Sequence, residues 1–473
     1  MSVSPLTENS LHDRKVKDPE DLRCVAVAEL PAKGTGVETP GIELENFELS
    51  SVPISRVTTA PLVPDAPALT DLELKKARRA EIIGFGALLW AMFMEGWNDG
   101  TNGPMLPKIE SYYNLNLAVV SLIFVMNVVG FVSGALANVP LSVRVGFGKT
   151  LVIGAIIQLI AYVIQSTAPP YPLFAIAYIF SGFGMAVQNS QAMVFTVSLR
   201  NSSTKMGIIH ACYGLGALSA PLVATQFAYM PRWSFFYLVS MGGALINIIY
   251  LSLAFRFQKL DACLLKAGQV VREQGSTSQN NNLYSQIMKL KVVHLLAFFA
   301  LAYIGVEVTI GGWIVKYIMA ERNGGSTSGY ISSGFFAGLA LGRVGLLWFN
   351  KLVGERRVIW LYILLCIGLE IIIWIVPSLV GDAVAVSFIG LFLGPVYPIV
   401  MNRTALLVPP WLMSSAVGWI AALGMSGSAV LPFITGVMSN KLGLISLQPL
   451  VVSALAVMFG LWMSIPAAVH RSD

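Results

Sequence analysis

Charged side chains are scarce in this chain of 473 residues. Asp, Glu, Lys and Arg together make up 12% of it, whereas 55% of the residues are hydrophobic and the mean hydropathy is +0.70. An ordinary soluble domain has roughly a quarter of charged residues, so the composition excludes a typical soluble enzyme. Most of the surface is therefore expected to face the hydrocarbon of a lipid bilayer.

Cysteine and the common enzyme motifs are also scarce or absent. The four cysteines show neither pairing nor CxxC spacing, so we predict neither a disulfide framework nor a zinc site. The sequence contains no P-loop, HExxH or GxSxG motif. We therefore expect no enzyme, no ATP-driven pump, no metal site and no cofactor.

The N-terminal segment 1–79 lacks the apolar run of a secretory signal, and it is polar and contains proline. Such a segment is typical of a disordered tail without a cleavable signal. We assign no chemistry to it.

From Glu81 onward, apolar runs of about 20 residues recur, which is the length that a helix needs to cross about 30 Å of hydrocarbon. They are too long and too uniformly apolar for the strands of a membrane barrel, so the pattern predicts an all-α membrane protein. The twelve predicted transmembrane helices cover 82–107, 116–139, 150–168, 172–198, 206–229, 234–255, 293–320, 329–350, 357–376, 381–403, 412–438 and 447–468. The predicted domains are the tail 1–79, a six-helix half 80–255, a polar linker 256–291 and a second six-helix half 292–473.

The positions of Lys and Arg predict the orientation. Without the distant tail, 19 of them fall in segments on the side of the N-terminus and the linker, and 5 fall on the other side. Cytoplasmic loops carry the excess of positive charge, so both termini are predicted to be cytoplasmic. The basic residues form no patch interleaved with exposed aromatic residues, so no nucleic-acid partner is expected. We expect the plasma membrane, with an organelle membrane as the alternative.

The two predicted halves resemble each other. One constant shift in residue number superposes residues of the first and second helix of each half, and a slightly larger shift superposes the fifth helices. The matched pairs are Asp99 with Glu307, Gly134 with Gly342, and Gly216 with Gly427. Many transporters consist of parallel repeats with the substrate site between them near the membrane midplane, and we predict the same arrangement here.

Two loop motifs resemble those of a known family. The loop after the second predicted helix contains Gly134-Ala-Leu136 and then Arg144-Val-Gly146-Phe-Gly148-Lys149, and its later copy contains Gly342-Arg343 and then Gly354-Glu355-Arg356-Arg357. This pattern resembles the loop between the second and third helices of the major facilitator transporters, although Asn138 and no acid is present in the first copy. The resemblance implies that Arg144, Lys149, Arg356 and Arg357 act in gating.

Four longer segments resemble one group within that superfamily. The segments 96–107, 210–222, 303–317 and 394–404 are similar to the fucose:proton symporter and sodium-dependent glucose transporter group, including its fungal members. The resemblance covers about residues 80–468. It implies a twelve-helix fold and a cation-coupled transport mechanism.

Carboxylates inside predicted membrane helices are the strongest candidates for function, because each costs on the order of 2.5 to 3.5 kcal/mol at a helix centre. Asp99 is closely followed by two more glycines and a proline, which predicts a weakened, unwound helix facing a central cavity. The alternative is an acid that reaches interfacial water. The resemblance implies that Asp99 binds the coupling ion and substrate, and Asn98 and Asn102 are candidates beside it.

Glu307 is the matching acid of the second half, and Trp313 follows it by about one and a half turns. An indole beside a carboxylate suits a hydroxyl-rich ring, and the alternative is an acid neutralised by a neighbouring helix through Arg343. Glu95 stands one turn from Asp99 and is a candidate for a proton relay. We interpret Glu370 as structural.

Polar residues in three further helices complete the candidate site. The fucose symporter pattern has a carboxylate at or beside Gln188, and an amide there keeps hydrogen bonding but carries no proton. Gln188 and Gln191 are candidate substrate ligands, with a role in joining helices as the alternative. His210 is a second relay candidate or a packing residue, and Tyr397 is a candidate cavity residue in the tenth helix.

Together these observations predict a secondary active transporter that moves a sugar or polyol by cation symport. Its partners are expected to be the lipid bilayer, a small-molecule substrate and a coupling cation, either proton or sodium, and a monomer is expected. The alternatives are a proton-coupled exporter of an organic metabolite and a non-transporting nutrient receptor on the same fold.

Overall fold

The computed structural model describes residues 71–269 and 283–467. These residues are mostly helical, and no β-strand occurs among them, so the all-α prediction is confirmed. Residues 1–70 of the predicted tail lie outside the described residues. Residues 71–79 are already helical, contrary to the predicted boundary, because this stretch of Leu, Glu, Lys, Ala and Arg consists of strong helix formers.

Seventeen α-helices follow one another in the described ranges. The N-terminal group comprises α1 (Asp71–Tyr113), α2 (Leu117–Val120), α3 (Leu122–Val145), α4 (Phe147–Ser166), α5 (Tyr171–Val197), α6 (Ser202–Ala228) and α7 (Phe236–Phe255). Between the groups lie α8 (Leu260–Lys266) and α9 (Leu283–Lys289). The C-terminal group comprises α10 (Lys291–Glu321), α11 (Tyr330–Gly345), α12 (Leu347–Val353), α13 (Glu355–Ile375), α14 (Leu379–Leu393), α15 (Val396–Leu407), α16 (Met413–Leu442) and α17 (Leu447–Ser464).

Ten helical spans of the described part are long and apolar enough to cross a membrane, and eleven if α11 and α12, which bend by 56°, form one span. The helix α1 is not among them, because charged and polar residues flank its apolar run on both sides. It nevertheless runs through the first predicted span. Each of the twelve predicted spans therefore coincides with one long helix or with two consecutive helices.

The helix α1 is continuous, so the predicted unwinding near Asp99 is wrong. It remains helical from Asp71 to Tyr113 although it contains two prolines. Its glycines serve close packing instead. A side chain at Gly96 would overlap the backbone oxygen of Tyr213, and one at Gly103 would lie 2.5 Å from the backbone oxygen of Gly311.

The same close contacts occur in both groups of helices. Gly134 packs on the backbone oxygen of Phe183, and Gly342 packs on that of Leu391. The residue numbers of Gly342 and Leu391 exceed those of Gly134 and Phe183 by the same amount as the number of Glu307 exceeds that of Asp99. Two further pairs of contacts repeat with this shift: Gly130 on Ile179 with Gly338 on Ser387, and Gly182 on Asn127 with Gly390 on Phe335. The two groups are therefore built on one packing scheme.

A fourth pair of contacts repeats with a small change. Gly216 packs on the backbone oxygen of Phe93, and Gly427 packs on that of Leu301. Phe93 and Leu301 are related by the common shift, whereas Gly427 follows Gly216 by a slightly larger one. The fifth predicted helix of the second half therefore keeps the contact although its numbering is displaced, as the sequence comparison of the halves predicts.

The helix ends form two faces. We call the linker face the one with the turns near residues 146, 199, 257, 354 and 409, and the opposite face the one with the turns near residues 115, 168, 231, 323, 377 and 443. Contacts between the two groups are concentrated at the opposite face. They include an ion pair of Glu110 with Lys316, a hydrogen bond of Gln226 with Tyr330, and close packing of Gly436 on Ser121.

Candidate functional site

Four side chains form a central cluster where the two groups of helices meet. The hydroxyl of Tyr213 on α6 donates a hydrogen bond of 2.8 Å to Oδ2 of Asp99 on α1. The guanidinium of Arg343 on α11 lies over the ring of Tyr213, 5.8 Å from its centroid. An oxygen of Glu307 on α10 lies 3.6 Å from Arg343. The cluster therefore joins the predicted acids of both halves through a phenol and an arginine.

Close helix packing brings these residues together. Gly96 and Gly100 on α1 pack against the backbone of α6, which places Asp99 beside Tyr213. On its other side, α6 approaches α11, where a side chain at Gly214 would lie 3.2 Å from Ala340. Small residues at such positions let helix backbones approach one another within a membrane.

Two asparagines flank Asp99 on α1. Asn98 is only 6% exposed, and its amide nitrogen donates no hydrogen bond of standard geometry, although it lies near enough to Asp99 to interact with that carboxylate. Asn102 donates to the backbone oxygen of Asp99 and accepts from the hydroxyl of Tyr178, each at 3.4 Å. Because a buried amide without a well-formed hydrogen bond is costly, Asn98 is the stronger candidate of the two for binding a ligand.

Glu95 lies one turn from Asp99, on the side of the linker face. Both of its carboxylate oxygens accept hydrogen bonds of 2.9 Å from the amide nitrogen of Asn189 on α5. Asn189 is the neighbour of Gln188, and the fucose symporter pattern has a carboxylate at or beside Gln188. Because Asn189 binds Glu95, Glu95 supplies a carboxylate close to that position.

Gln188 lies in a buried amide network rather than in the central cluster. It accepts a 2.6 Å hydrogen bond from Asn247 on α7 and donates a 2.9 Å hydrogen bond to Gln158 on α4. Gln158 donates in turn to Tyr162, whose hydroxyl lies 3.4 Å from Asn98. In this conformation the network around Gln188 therefore joins four helices of the N-terminal group. This is the helix-joining role that stands as the alternative to substrate binding for Gln188.

Of three other candidates, Gln191 and Trp313 lie away from the cluster, whereas Tyr397 lies near enough to interact electrostatically with Glu307 and Arg343. Gln191 is buried and donates a 2.7 Å hydrogen bond to Asn138, the residue that occupies the place of the family's acid. Trp313 is fully buried, and its indole nitrogen donates to the backbone oxygen of Pro432 at 3.2 Å. It therefore packs between α10 and α16, and no ligand reaches it without a conformational change. Tyr397 is half-buried and stacks on Tyr303, with 6.2 Å between the ring centroids.

His210 and Glu370 differ in their distance from the cluster. His210 is half-buried on α6, one turn from Gly214, and the charge of Arg343 acts on it. Glu370 on α13 is buried among the helices of the C-terminal group, near Asp382. Asp382 is paired with Arg322 at 2.8 Å.

The predicted gating residues lie at the linker face. Arg144, Lys149 and Arg357 are exposed. Arg356 donates a hydrogen bond of 3.2 Å to the backbone oxygen of Ile465, just beyond α17. These four side chains are therefore far from the central cluster, at the ends of α3, α4 and α13.

Sequence reasoning missed Tyr213 and Asn189, which are the hydrogen-bond partners of Asp99 and Glu95. Tyrosine and asparagine carry no charge at membrane depth, so the cost that identifies the acids does not identify their partners. The signal for Tyr213 is its place in the segment 210–222, shortly before Gly216, on a face of α6 that packs closely against α1.

The sequence profile of the Major Facilitator Superfamily matches residues 88–432. The chain belongs to the Major Facilitator Superfamily. This membership identifies a multi-pass membrane transporter and not an enzyme, and it confirms the family resemblance that the loop motifs predict.

The chain is similar to the Bypass of stop codon protein 6 of Saccharomyces cerevisiae, which is 25% identical over 375 residues that cover 74% of this chain and 75% of the yeast protein. The glucose/mannose transporter GlcP of Bacillus subtilis is 22% identical over 355 residues, which cover 72% of this chain and 84% of GlcP.

Two solved structures share the facilitator fold. A bacterial homolog of the human lysosomal transporter Spinster, in an inward-facing and unoccupied conformation, matches with a TM-score of 0.69 at 11% identity, covering 82% of this chain and 96% of that one. FucP in an outward conformation, the fucose:proton symporter of E. coli, matches with a TM-score of 0.58 at 14% identity, covering 82% and 100%. These likenesses concern the fold.

Proposed function

We propose that this facilitator moves a small polar organic solute, a sugar or a polyol, across a membrane by cation-coupled alternating access. The observation that carries the proposal is the central cluster, in which two carboxylates, a phenol and a guanidinium from both groups of helices converge. Such a set of donors and acceptors suits the hydroxyls of a sugar. The name of the Bacillus subtilis relative, a glucose/mannose transporter, supports this substrate class.

The two acids of the cluster have different partners, which supports different roles. Glu307 is paired with Arg343, so its charge is compensated. Asp99 has a neutral partner, Tyr213. A carboxylate without a cation is costly at membrane depth, and binding a proton or a sodium ion removes that cost. We therefore assign the coupling cation to Asp99 and hydrogen bonding of the substrate to Glu307 and Arg343.

The contacts between the two groups at the opposite face support an inward-facing state. In our proposal the linker face is cytoplasmic, as the distribution of Lys and Arg predicts, and the opposite face is closed toward the outside. An impermeant thiol reagent applied to intact cells should not label the variant Gln258→Cys. Labelling of this cysteine would mean that the linker face is on the outside.

Uptake into vesicles containing the purified protein tests the proposed function. Radiolabelled glucose, mannose, fucose and a polyol are offered with an inward proton gradient, an inward sodium gradient or neither. We expect one cation gradient to drive accumulation of at least one of these solutes above its external concentration. Accumulation of none of them, together with extrusion of an apolar organic compound against a proton gradient, would support the exporter instead.

A further inference from the structure

Glu95 is a buried carboxylate with one amide as its partner. It is 8% exposed, and the amide nitrogen of Asn189 lies 2.9 Å from each of its oxygens. In the part of the chain that the structure describes, no Lys, Arg or His nitrogen lies within 4 Å of this carboxylate. The ionised form of Glu95 is therefore stabilised by neutral donors alone, which compensate poorly for lost hydration.

The surroundings of Glu95 offer little positive charge. Arg343 is the cationic side chain of the central cluster, and it is already paired with Glu307. The groups that interact with Glu95 are Asp99 on α1 itself, Asn189 on α5 and Tyr213 on α6. Tyr213 in turn interacts with Glu307 on α10 and with Arg343 on α11. The helix α8 packs farther away, near Ala77. The charge of Asp99 adds repulsion, since both acids lie on one face of α1.

We infer that Glu95 and Asn189 form a second proton-binding site, so that two protons, one on Asp99 and one on Glu95, accompany each substrate molecule. This inference rests on the proposed function. The proton joins one carboxylate oxygen of Glu95, and the side-chain amide of Asn189 rotates by half a turn. Its oxygen then accepts the new O–H, whereas its nitrogen donates to the ionised acid.

The geometry favours a proton over a sodium ion at Glu95. The helix α1 is continuous at Glu95, so its backbone oxygens are held in helical hydrogen bonds and are not free to coordinate a metal cation. Sodium sites in transporters are built from several oxygen ligands. A rotating amide instead satisfies both protonation states with one side chain.

The place of Glu95 along α1 suits the passage of a proton. Glu95 is one turn from Asp99 toward the linker face, about 6 Å along the helix axis. In the state closed at the opposite face, Glu95 therefore releases its own proton toward the linker face first, and Asp99 releases its proton afterwards. Glu95 makes no contact with Glu307 or Arg343, so its proton is linked to the substrate only through Asp99.

The equilibrium accumulation ratio measures how many protons are carried. With the membrane potential clamped at zero and a gradient of one pH unit, two protons support an accumulation of about 100-fold and one proton about 10-fold. We expect about 100-fold for the wild type and about 10-fold for Glu95→Gln. Glu370→Gln is the matched control, because it removes another buried glutamate outside the cluster, and it should keep the ratio of the wild type.

Several outcomes would overturn the inference. These are a wild-type ratio of about 10-fold, an unchanged ratio in Glu95→Gln, and accumulation driven by sodium but not by protons. The wild-type ratio needs no variant, so the inference remains testable if Glu95→Gln does not fold. Absence of accumulation with either gradient in the wild type refutes the proposed function itself, which distinguishes the two failures.

Asn189→Ala provides a second variant that keeps the carboxylate. It removes the charge-assisted hydrogen bond to ionised Glu95 and the weaker hydrogen bond to the protonated acid, so the protonated form is favoured and this acid should retain its proton at higher pH. We expect the midpoint of the pH profile of proton-driven uptake to move by about one to two pH units to the alkaline side. An unchanged midpoint would mean that Glu95 does not titrate during transport.

Discussion

The N-terminal and C-terminal groups of helices share their packing and differ in their charges. Gly134 and Gly342 touch backbone oxygens that are related by the same shift in residue number as the two glycines themselves. Asp99 and Glu307 occupy matching positions on α1 and α10. Yet Asp99 accepts a hydrogen bond from a neutral phenol, whereas Glu307 faces an arginine.

This difference indicates which part of a repeated structure is free to change. A glycine that contacts a backbone oxygen leaves no room for a side chain, so the packing scheme constrains both groups alike. The residues beside the two acids face the interface and are not fixed in this way. One scaffold therefore carries two chemically different sites, one with a compensated carboxylate and one without.

The largest effect is expected from Asp99→Asn, which removes the uncompensated charge and its titratable proton. Asparagine keeps the size of the side chain and still accepts a hydrogen bond from Tyr213. Gradient-driven accumulation should be lost. Counterflow of substrate should persist, because exchange requires binding and movement of the groups but no net cation transport. Full accumulation in this variant would remove Asp99 from the coupling mechanism.

Glu307→Gln tests the compensated site. The substitution removes a charged acceptor and leaves Arg343 without its partner, so substrate binding should weaken by about 1.5 to 3 kcal/mol, the usual value of a hydrogen bond to a charged group. This corresponds to an increase of roughly 10-fold to 150-fold in the substrate concentration for half-maximal counterflow. Accumulation at saturating substrate should remain. If affinity is unchanged, Glu307 is structural.

Matched glycine substitutions test the shared packing. Gly216→Ala and Gly427→Ala each place a methyl group against a backbone oxygen, and each should lower the free energy of unfolding by about 1 to 3 kcal/mol. Gly242→Ala and Gly460→Ala are the controls in the same two groups, because a side chain there meets nothing within 4 Å. Thermal unfolding of the purified variants measures the effect. A clear loss in one group only would contradict a common packing scheme.

The smallest effect is expected from Glu110→Gln at the opposite face. The ion pair of Glu110 with Lys316 is partly exposed, and such pairs contribute about 0.2 to 1 kcal/mol. Its loss should raise the labelling rate of Ser121→Cys by an impermeant reagent by up to about five-fold. The charge swap Glu110→Lys with Lys316→Glu should restore the slow rate. Equal rates in all three backgrounds would mean that this pair does not hold the face closed.

Hydropathy and glycine spacing were sufficient to predict the twelve spans and the repeat. Both depend on properties that a helix in lipid cannot avoid, namely a minimum apolar length and small residues at close crossings. The glycines that follow Asp99 led to the wrong prediction of an unwound α1. A sequence does not reveal whether Gly100 weakens its own helix or accommodates the backbone of a neighbour.

The site was predicted in part, for a similar reason. Asp99 and Glu307 stand out because a buried charge is expensive wherever it lies. The partners of these acids depend on how α1, α6, α10 and α11 cross, which only the fold determines. Trp313 was chosen as a candidate because it is close to Glu307 in sequence, but its indole binds the backbone of α16 and does not reach the cluster.

The contact of Gly103 with Gly311 joins two residues that are themselves equivalent in the two repeats, as Asp99 and Glu307 are. Equivalent residues of two repeats touch each other only on the symmetry axis that relates the repeats, so this axis passes through the contact. If the groups tilt about this point, α1 acts as a lever with unequal arms. At about 1.5 Å per residue, the arm to Asp71 is about 48 Å and the arm to Glu110 is about 10 Å. A movement of about 1 Å at the outer ion pair then corresponds to a movement of about 5 Å at the linker-face end of the helix.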